Sequence, residues 1–152
     1  MSRTPVGPFI GALLRFAWRG VRDHIDDAVR AAGYRDIGLA HISLFRWPTL
    51  DGSRPGELAD EMRISKQTVN GLLLDLEGWG FIRRMVDRED KRRRIIRLTA
   101  KGVKLEDTIR LAAQTAEIRL ERELGPQWVL SFRASLKDAT RVLNVSAKSG
   151  RP

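Results

Sequence analysis

Residues 65–80, "SKQTVNGLLLDLEGWG", run without a break into "FIRRMV", a charged loop and "RIIRL". A helix that passes directly into a hairpin limits the fold more than any other feature of the chain. Val69, Leu72, Leu73 and Leu76 recur at steps of three and four, the stripe of a half-buried helix over about Lys66–Trp79. Ser65 suits its N-cap, and Gly80 ends it. Two strands are predicted at about Phe81–Val86 and Arg94–Leu98, joined by the six charged residues Asp87–Arg92. Alternation puts Ile82, Arg84 and Val86 on one face and Phe81, Arg83 and Met85 on the other. Upstream, a short helix over about Gly56–Arg63 gathers Leu58, Ala59 and Met62 on one side, and "RIS" turns the chain into the next helix. A short helix, a tight turn, a second helix with a polar N-terminal face and then a hairpin make a winged helix-turn-helix.

Three longer helices surround this unit. The first, about Phe9–Ala32, carries Phe9, Leu13, Phe16, Ala17, Val21, Ile25, Ala28 and Val29, with Gly33 as its cap. Asp36 is placed to cap a helix over Ile37–Arg46, and "WPTLDGSRPG" reads as a turn-rich connector. Thr99 caps a helix over about Ala100–Leu124, "LGP" breaks it, and Pro126 opens a last helix reaching about Asn144. The fifth helix repeats Leu105, Ile109, Ala112, Ala116, Leu120 and Leu124. The sixth repeats Val129, Phe132, Leu136, Ala139 and Leu143 at 3-4-3-4, a seam suited to helix pairing. The expected fold is mainly α with a small β-hairpin wing. A winged helix-turn-helix over 36–99 joins a helical dimerisation region at 9–35 and 100–145, with flexible ends at 1–8 and 146–152. A compact reader cannot cover three long apolar stripes, so the first, fifth and sixth helices are expected to interlock between two copies.

Charge points to the partner. The chain carries +9, and Arg83–Lys101 alone holds nine basic residues against three acidic ones, an excess of six. Crowding like charge at a hairpin is costly unless something negative lies opposite, and the balance favours a polyanion. With no cysteine, disulfides and thiolate zinc sites are excluded, and with only two histidines, His24 and His41, neither a histidine-rich metal site nor a cofactor is expected. No nucleotide-binding glycine loop and no nucleophile motif is present, so the chain does not read as an enzyme. The lack of an apolar run of membrane-spanning length or of a signal-peptide core predicts a cytosolic protein without a membrane partner.

The groove-facing set is read from Ser65, Lys66, Gln67, Thr68 and Asn70. Gln67 and Asn70 carry paired donor and acceptor groups that can read a base edge, and the other three can hold phosphates or bases. The wing supplies Arg88, Lys91, Arg92 and Arg93, and arginine suits a narrow minor groove. Asp90 is expected to fix the Arg92 guanidinium by a charge-assisted hydrogen bond, with Asp87 bracing the hairpin in a similar way. The expected partner is therefore double-stranded DNA. A weakly sequence-selective architectural nucleic-acid binder without a ligand is the alternative, and the polar set on the fourth helix is what separates the two.

These residues resemble the MarR-type bacterial transcription regulators. The similarity runs through Gly56–Gly102, with "LA" at 58–59, "TV" at 68–69, "LE..GFI.R" at 76–83, "D..DKR" at 87–92 and "LT.KG" at 98–102. The resemblance implies that Arg92 is the minor-groove arginine of the wing and that Asp90 supports it. It also implies a homodimer on a pseudo-palindromic operator, with repression as the default outcome. Family members often bind a small aromatic or anionic effector between the helical base and the reader. Arg15, Trp18, Arg22, His41 and Phe45 are the candidate pocket groups here, although each also reads as ordinary core or solvated surface. Gly71 departs from the family, which often has a larger polar or basic residue there. The cysteines of its peroxide-sensing branch are absent.

Overall fold

The computed structural model describes residues 7–45 and 49–143. The elements follow as α1 (Ile10–Ala31), α2 (Leu39–Ile42), α3 (Pro55–Met62), α4 (Lys66–Gly78), β1 (Ile82–Val86), β2 (Arg94–Leu98), α5 (Ala100–Leu124) and α6 (Pro126–Val142). The expected architecture, mainly helical with one antiparallel hairpin, is the one found. Residues 1–6 of the N-terminal end expected to be flexible, all of the C-terminal end at 146–152, residues 144 and 145 before it, and residues 46–48, where the expected second helix gives way to the connector, lie outside the described residues.

Local chemistry sets most boundaries. The Ser65 hydroxyl accepts the Thr68 N–H at 3.0 Å and starts α4. At the other end Gly80 takes φ +78° and the Phe81 N–H bonds back to the Leu76 carbonyl at 2.8 Å, a Schellman closure. Phe81 is therefore spent on ending the helix, and β1 begins one residue later than its alternation indicates. The Thr99 hydroxyl accepts the Gly102 N–H at 3.1 Å and starts α5 at the expected place.

The second helix is the main correction. The sequence predicts a helix over Ile37–Arg46 capped by Asp36. Only Leu39–Ile42 is helical, capped by Gly38, and Arg46 lies outside the described residues. Ile37 is drawn into the core, 1% exposed, and its N–H bonds to the Tyr34 carbonyl within a turn. Burial of an isoleucine outweighs the capping preference of the exposed Asp36.

β1 and β2 pair with Ile82 opposite Leu98 and Val86 opposite Arg94. The free edge of β2 is covered by the chain at 51–53: Gly52 N–H donates to Ile96 O at 2.7 Å, and Ile96 N–H to Ser53 O at 2.9 Å. Asp51 completes the seal by accepting the Leu98 N–H at 2.8 Å. An edge that would otherwise invite pairing is thereby closed.

The core gathers Ile25 and Val29 of α1, Leu58 and Ala59 of α3, Val69, Leu73 and Leu76 of α4, the hairpin's Ile82 and Ile96, and Leu105, Ile109 and Ala112 of α5. It lies under the reader, where the C-terminal half of α1 meets the N-terminal half of α5. Away from it the same helices lose cover: Leu13, Phe16 and Trp18 of α1, Ile118 and Leu124 of α5, and Leu130 and Val142 of α6 are exposed.

Candidate nucleic-acid interface

On α4 the helical period separates two kinds of surface. Val69, Leu73 and Leu76 are fully buried, while Lys66, Gln67, Asn70 and Gly71 face solvent. Gln67 and Asn70, three residues apart, lie on one face, and no intramolecular hydrogen bond engages their amides among the described residues. Ser65 and Thr68 differ from expectation. Their hydroxyls bond to each other at 2.8 Å while Ser65 also caps the helix, so the pair keeps a single free O–H for a ligand. The free amide donors and acceptors of this face are therefore those of Gln67 and Asn70, with Lys66 as the nearby cation.

The acids of "DREDKR" build the wing through its backbone. Asp87 Oδ1 accepts the Glu89 N–H at 3.0 Å, and Asp90 Oδ1 accepts the Arg92 N–H at 3.0 Å, two Asx-turns in succession. Asp87 N–H to Arg93 O and Arg93 N–H to Asp90 O, both at 2.9 Å, close the loop. The expected link from Asp90 to the Arg92 guanidinium is not made. Asp90 holds the backbone of Arg92, and its other oxygen takes Arg93 Nε at 3.0 Å. The turn aims the side chain of residue 93, not of residue 92, back at the carboxylate. Arg93 is thus partly neutralised, whereas Arg88, Lys91 and Arg92 are exposed with no carboxylate within 4 Å among the described residues.

Asp87 is the one buried charged side chain among the described residues. Its Oδ2 accepts Arg54 Nε at 3.1 Å and Arg54 Nη2 at 2.6 Å. These bonds, then the Glu89 N–H, hold the Asp87 carboxyl below the usual carboxylate range against the opposing effect of burial. The same contact raises the Arg54 guanidinium. Arg54 is the N-cap residue of α3, so this pair ties the wing to the first helix of the helix-turn-helix. Sequence reasoning missed Arg54, because nothing local links it to an aspartate thirty-three residues away.

Several other cations in the basic run are structural. Arg84 pairs with Glu77 at 2.9 Å, and Arg97 with Asp51 at 3.0 Å, which relieves its cross-strand position opposite Arg83. Burial pushes the Glu77 carboxyl up, but the Arg84 side-chain and backbone bonds outweigh it and the net shift is downward. Lys101 Nζ donates to Trp79 O at 2.8 Å, at the C-terminal end of α4, and sits 4.3 Å from the Phe81 ring centroid. The unpaired excess is therefore smaller than the sequence total and is concentrated at the tip of the hairpin.

The five candidate pocket residues stand in different surroundings. Phe45 is sealed in the core, and Arg15 and Trp18 are exposed on α1. Arg22 pairs with Asp23 at 3.3 Å. His41 Nδ1 accepts the Gly38 N–H at 3.2 Å, so the neutral ring carries its proton on Nε2 and donates it to Asp75 at 3.2 Å. Two shallow depressions, of about 320 and 380 Å³, are lined by Ala32–Ile37, Trp79, Phe81 and Lys101, and by the wing. None of the five residues lines either one. Among the described residues there is no cluster suited to a metal ion and no helix long and apolar enough to cross a membrane.

The sequence profile of the MarR family matches residues 50–93. The HTH-type transcriptional regulator PetP of Rhodobacter capsulatus is 32% identical over 123 residues, covering 80% of this chain and 72% of PetP. A MarR transcriptional regulator from Methanosarcina mazei Go1 superposes with a TM-score of 0.72 at 25% identity, covering 90% of this chain and 98% of its own. A mutant of S. aureus MepR bound to an oligodeoxyribonucleotide is similar at a TM-score of 0.56 and 25% identity, covering 88% and 96%. The first two are transcription regulators, not enzymes.

Proposed function

The chain belongs to the MarR family of transcription regulators, and from that premise we propose that it is a homodimeric, sequence-specific repressor of a pseudo-palindromic operator, acting in the cytoplasm. The observation that carries this reading is the state of the side chains on α4 and the wing. Gln67 and Asn70 keep their amides free above a fully buried stripe, and Arg88, Lys91 and Arg92 remain unpaired among the described residues, as do Arg83 and Arg94, while Arg84, Arg93 and Arg97 are neutralised. A surface that only held phosphate would need the cations and not the amides. The S. aureus MepR mutant, of the same fold, was captured with an oligodeoxyribonucleotide, which supports DNA as the ligand class.

In this reading Gln67 and Asn70 enter the major groove and the wing arginines follow the adjacent minor groove. Arg54 and Asp87 fix the angle between the two. Two copies related by a twofold axis meet inverted half-sites about one helical turn apart. Repression follows from obstruction of polymerase at such a site. A small aromatic or anionic effector also belongs to the proposal. Its site would have to form in the two-copy assembly, since Arg15 and Trp18 lie on the face of α1 that a second copy would cover.

Selection of bound fragments from a random or genomic DNA pool tests this directly. An inverted repeat with half-sites one turn apart is the expected product. Recovery of fragments with no shared sequence would replace the regulator reading with that of an architectural binder.

A further inference from the structure

Arg63 is the only non-glycine residue with positive φ among the described residues, at φ 53° and ψ 41°. It closes the C-terminus of α3, immediately before the turn into the recognition helix. Its side chain is exposed, and no carboxylate lies within 4 Å of it among the described residues. The left-handed conformation is open to glycine without strain and disfavours any residue with a Cβ. The backbone is accounted for, since the Arg63 and Ile64 N–H groups both return to the Ala59 carbonyl and close α3, but a side chain without a partner where glycine would serve directs attention to what it meets outside the folded chain.

The position says what that is. In a helix-turn-helix the first helix crosses the DNA backbone and the second enters the major groove by its N-terminus. Arg63 stands where the chain passes from one to the other, three residues before Lys66. Its fork of N–H donors matches a phosphate, and no base edge is expected this far back on the turn. Building on the DNA-binding reading above, we infer that Arg63 is a phosphate-contacting residue at the helix-turn-helix corner, kept there at a cost in backbone strain. The competing explanation is purely structural: α3 has no basic residue in its last turn, and a cation just beyond it would favour the helix dipole.

The two explanations differ in what glycine does. Fluorescence anisotropy with a fragment recovered by selection, over a series of salt concentrations, is run for the full-length wild type, R63G and R63K, with thermal melts of each. R63G is expected to melt at or above the wild type yet bind about tenfold more weakly at low salt. Its plot of log K against log salt should be shallower by about 0.9 for each subunit engaged. R63K, which keeps the charge and loses the fork, should retain the wild-type slope with a smaller loss of affinity. A wild type that binds while R63G matches its affinity and slope overturns the inference and leaves the regulator reading standing. An R63G protein that melts below the wild type and keeps its salt slope assigns Arg63 to the helix dipole and also overturns it. A wild type that binds no duplex fails the regulator reading itself, and this inference with it.

Discussion

A methyl group added at Gly102 would collide with the carbonyl oxygen of Phe81, and it would lie 3.2 Å from Leu98 Cδ2. The first turn of α5 rests backbone to backbone on the end of the recognition helix. Thr99 binds there too, donating from N to Phe81 O at 3.0 Å and from its hydroxyl to Gly80 O at 2.6 Å. Nothing in that contact can yield except backbone, so Gly102→Ala should cost about 3 kcal/mol or more. Gly71 is the reverse case. A Cβ there meets open space, and Gly71→Ala should raise stability by about 1 kcal/mol, the helix-propensity difference. Urea midpoints of the two variants, moving in opposite directions, check both. On the same helix, Asn70→Ala should cost about 1–3 kcal/mol of discrimination at one base pair while leaving nonspecific affinity nearly unchanged. An unaltered selection profile for that variant would remove Asn70 from the readout. The caps Ser65 and Thr99 and the closing Gly80 were legible in the sequence because each acts on neighbours within a few residues. The reason for Gly102 was not, since its constraint comes from a carbonyl twenty-one positions away.

The wing separates arginines that the sequence cannot tell apart. Arg92 and Arg93 are adjacent, and the sequence marks Asp90 as the support of the first. The Asx-turn at Asp90 orders the backbone of Arg92, while the carboxylate takes the guanidinium of Arg93. Arg92→Ala should therefore weaken DNA binding by about tenfold and flatten the salt dependence by about one unit per subunit, with Arg93→Ala doing distinctly less. Equal losses would mean that the Asp90–Arg93 pair opens on binding. The hairpin itself was readable from alternation, and α4 from its periodicity, because both are local repeats of apolar residues. The four-residue α2 and the Arg54–Asp87 tie were not, because each depends on what the rest of the core brings alongside. That tie also gives the wing a pH signature. Arg54 and the Glu89 N–H hold the Asp87 carboxyl down, so near and below pH 4 the unfolded chain binds a proton that the folded chain resists. The stabilisation is complete above about pH 4 and is lost as pH falls through the lowered folded value. Asp87→Asn should be less stable than the wild type at pH 6 and should converge towards it as pH approaches 3. Some acid sensitivity will remain in the variant, since Glu77 is also held down by Arg84. Parallel stability curves from pH 6 to 3 would contradict this role for Asp87.

Burial fades along each of the three long helices. On α1 it rises from exposed Leu13 and Phe16 to Val29, which is wholly covered. On α5 it falls from wholly covered Leu105 to exposed Ile118 and Leu124. On α6 only Val129 is buried and the rest of the seam fades outwards. Each helix is finished by this chain at one end only. The Arg133–Glu117 pair ties α6 to α5, while Trp128 and Phe132 stack on each other within α6. They leave the distal apolar faces of all three helices open. A single exposed leucine needs no explanation, but apolar residues left exposed on three long helices mark a surface for association. In the proposed dimer a second copy would supply the same faces by symmetry, and two readers on one base would bind an inverted repeat with the effective concentration of a tether. Placing carboxylates there should separate assembly from folding. The double variant Leu13→Glu, Ile118→Glu leaves the buried core residues untouched and should still melt cooperatively. It should sediment near the 17.2 kDa of one chain, against an expected value of twice that for the wild type. Its affinity for a two-half-site operator should fall by about a hundredfold or more, while binding to an isolated half-site stays close to that of the wild type. A variant that remains dimeric would move the interface away from these ends. A monomer that still bound the full operator as tightly would mean that the two readers never acted together.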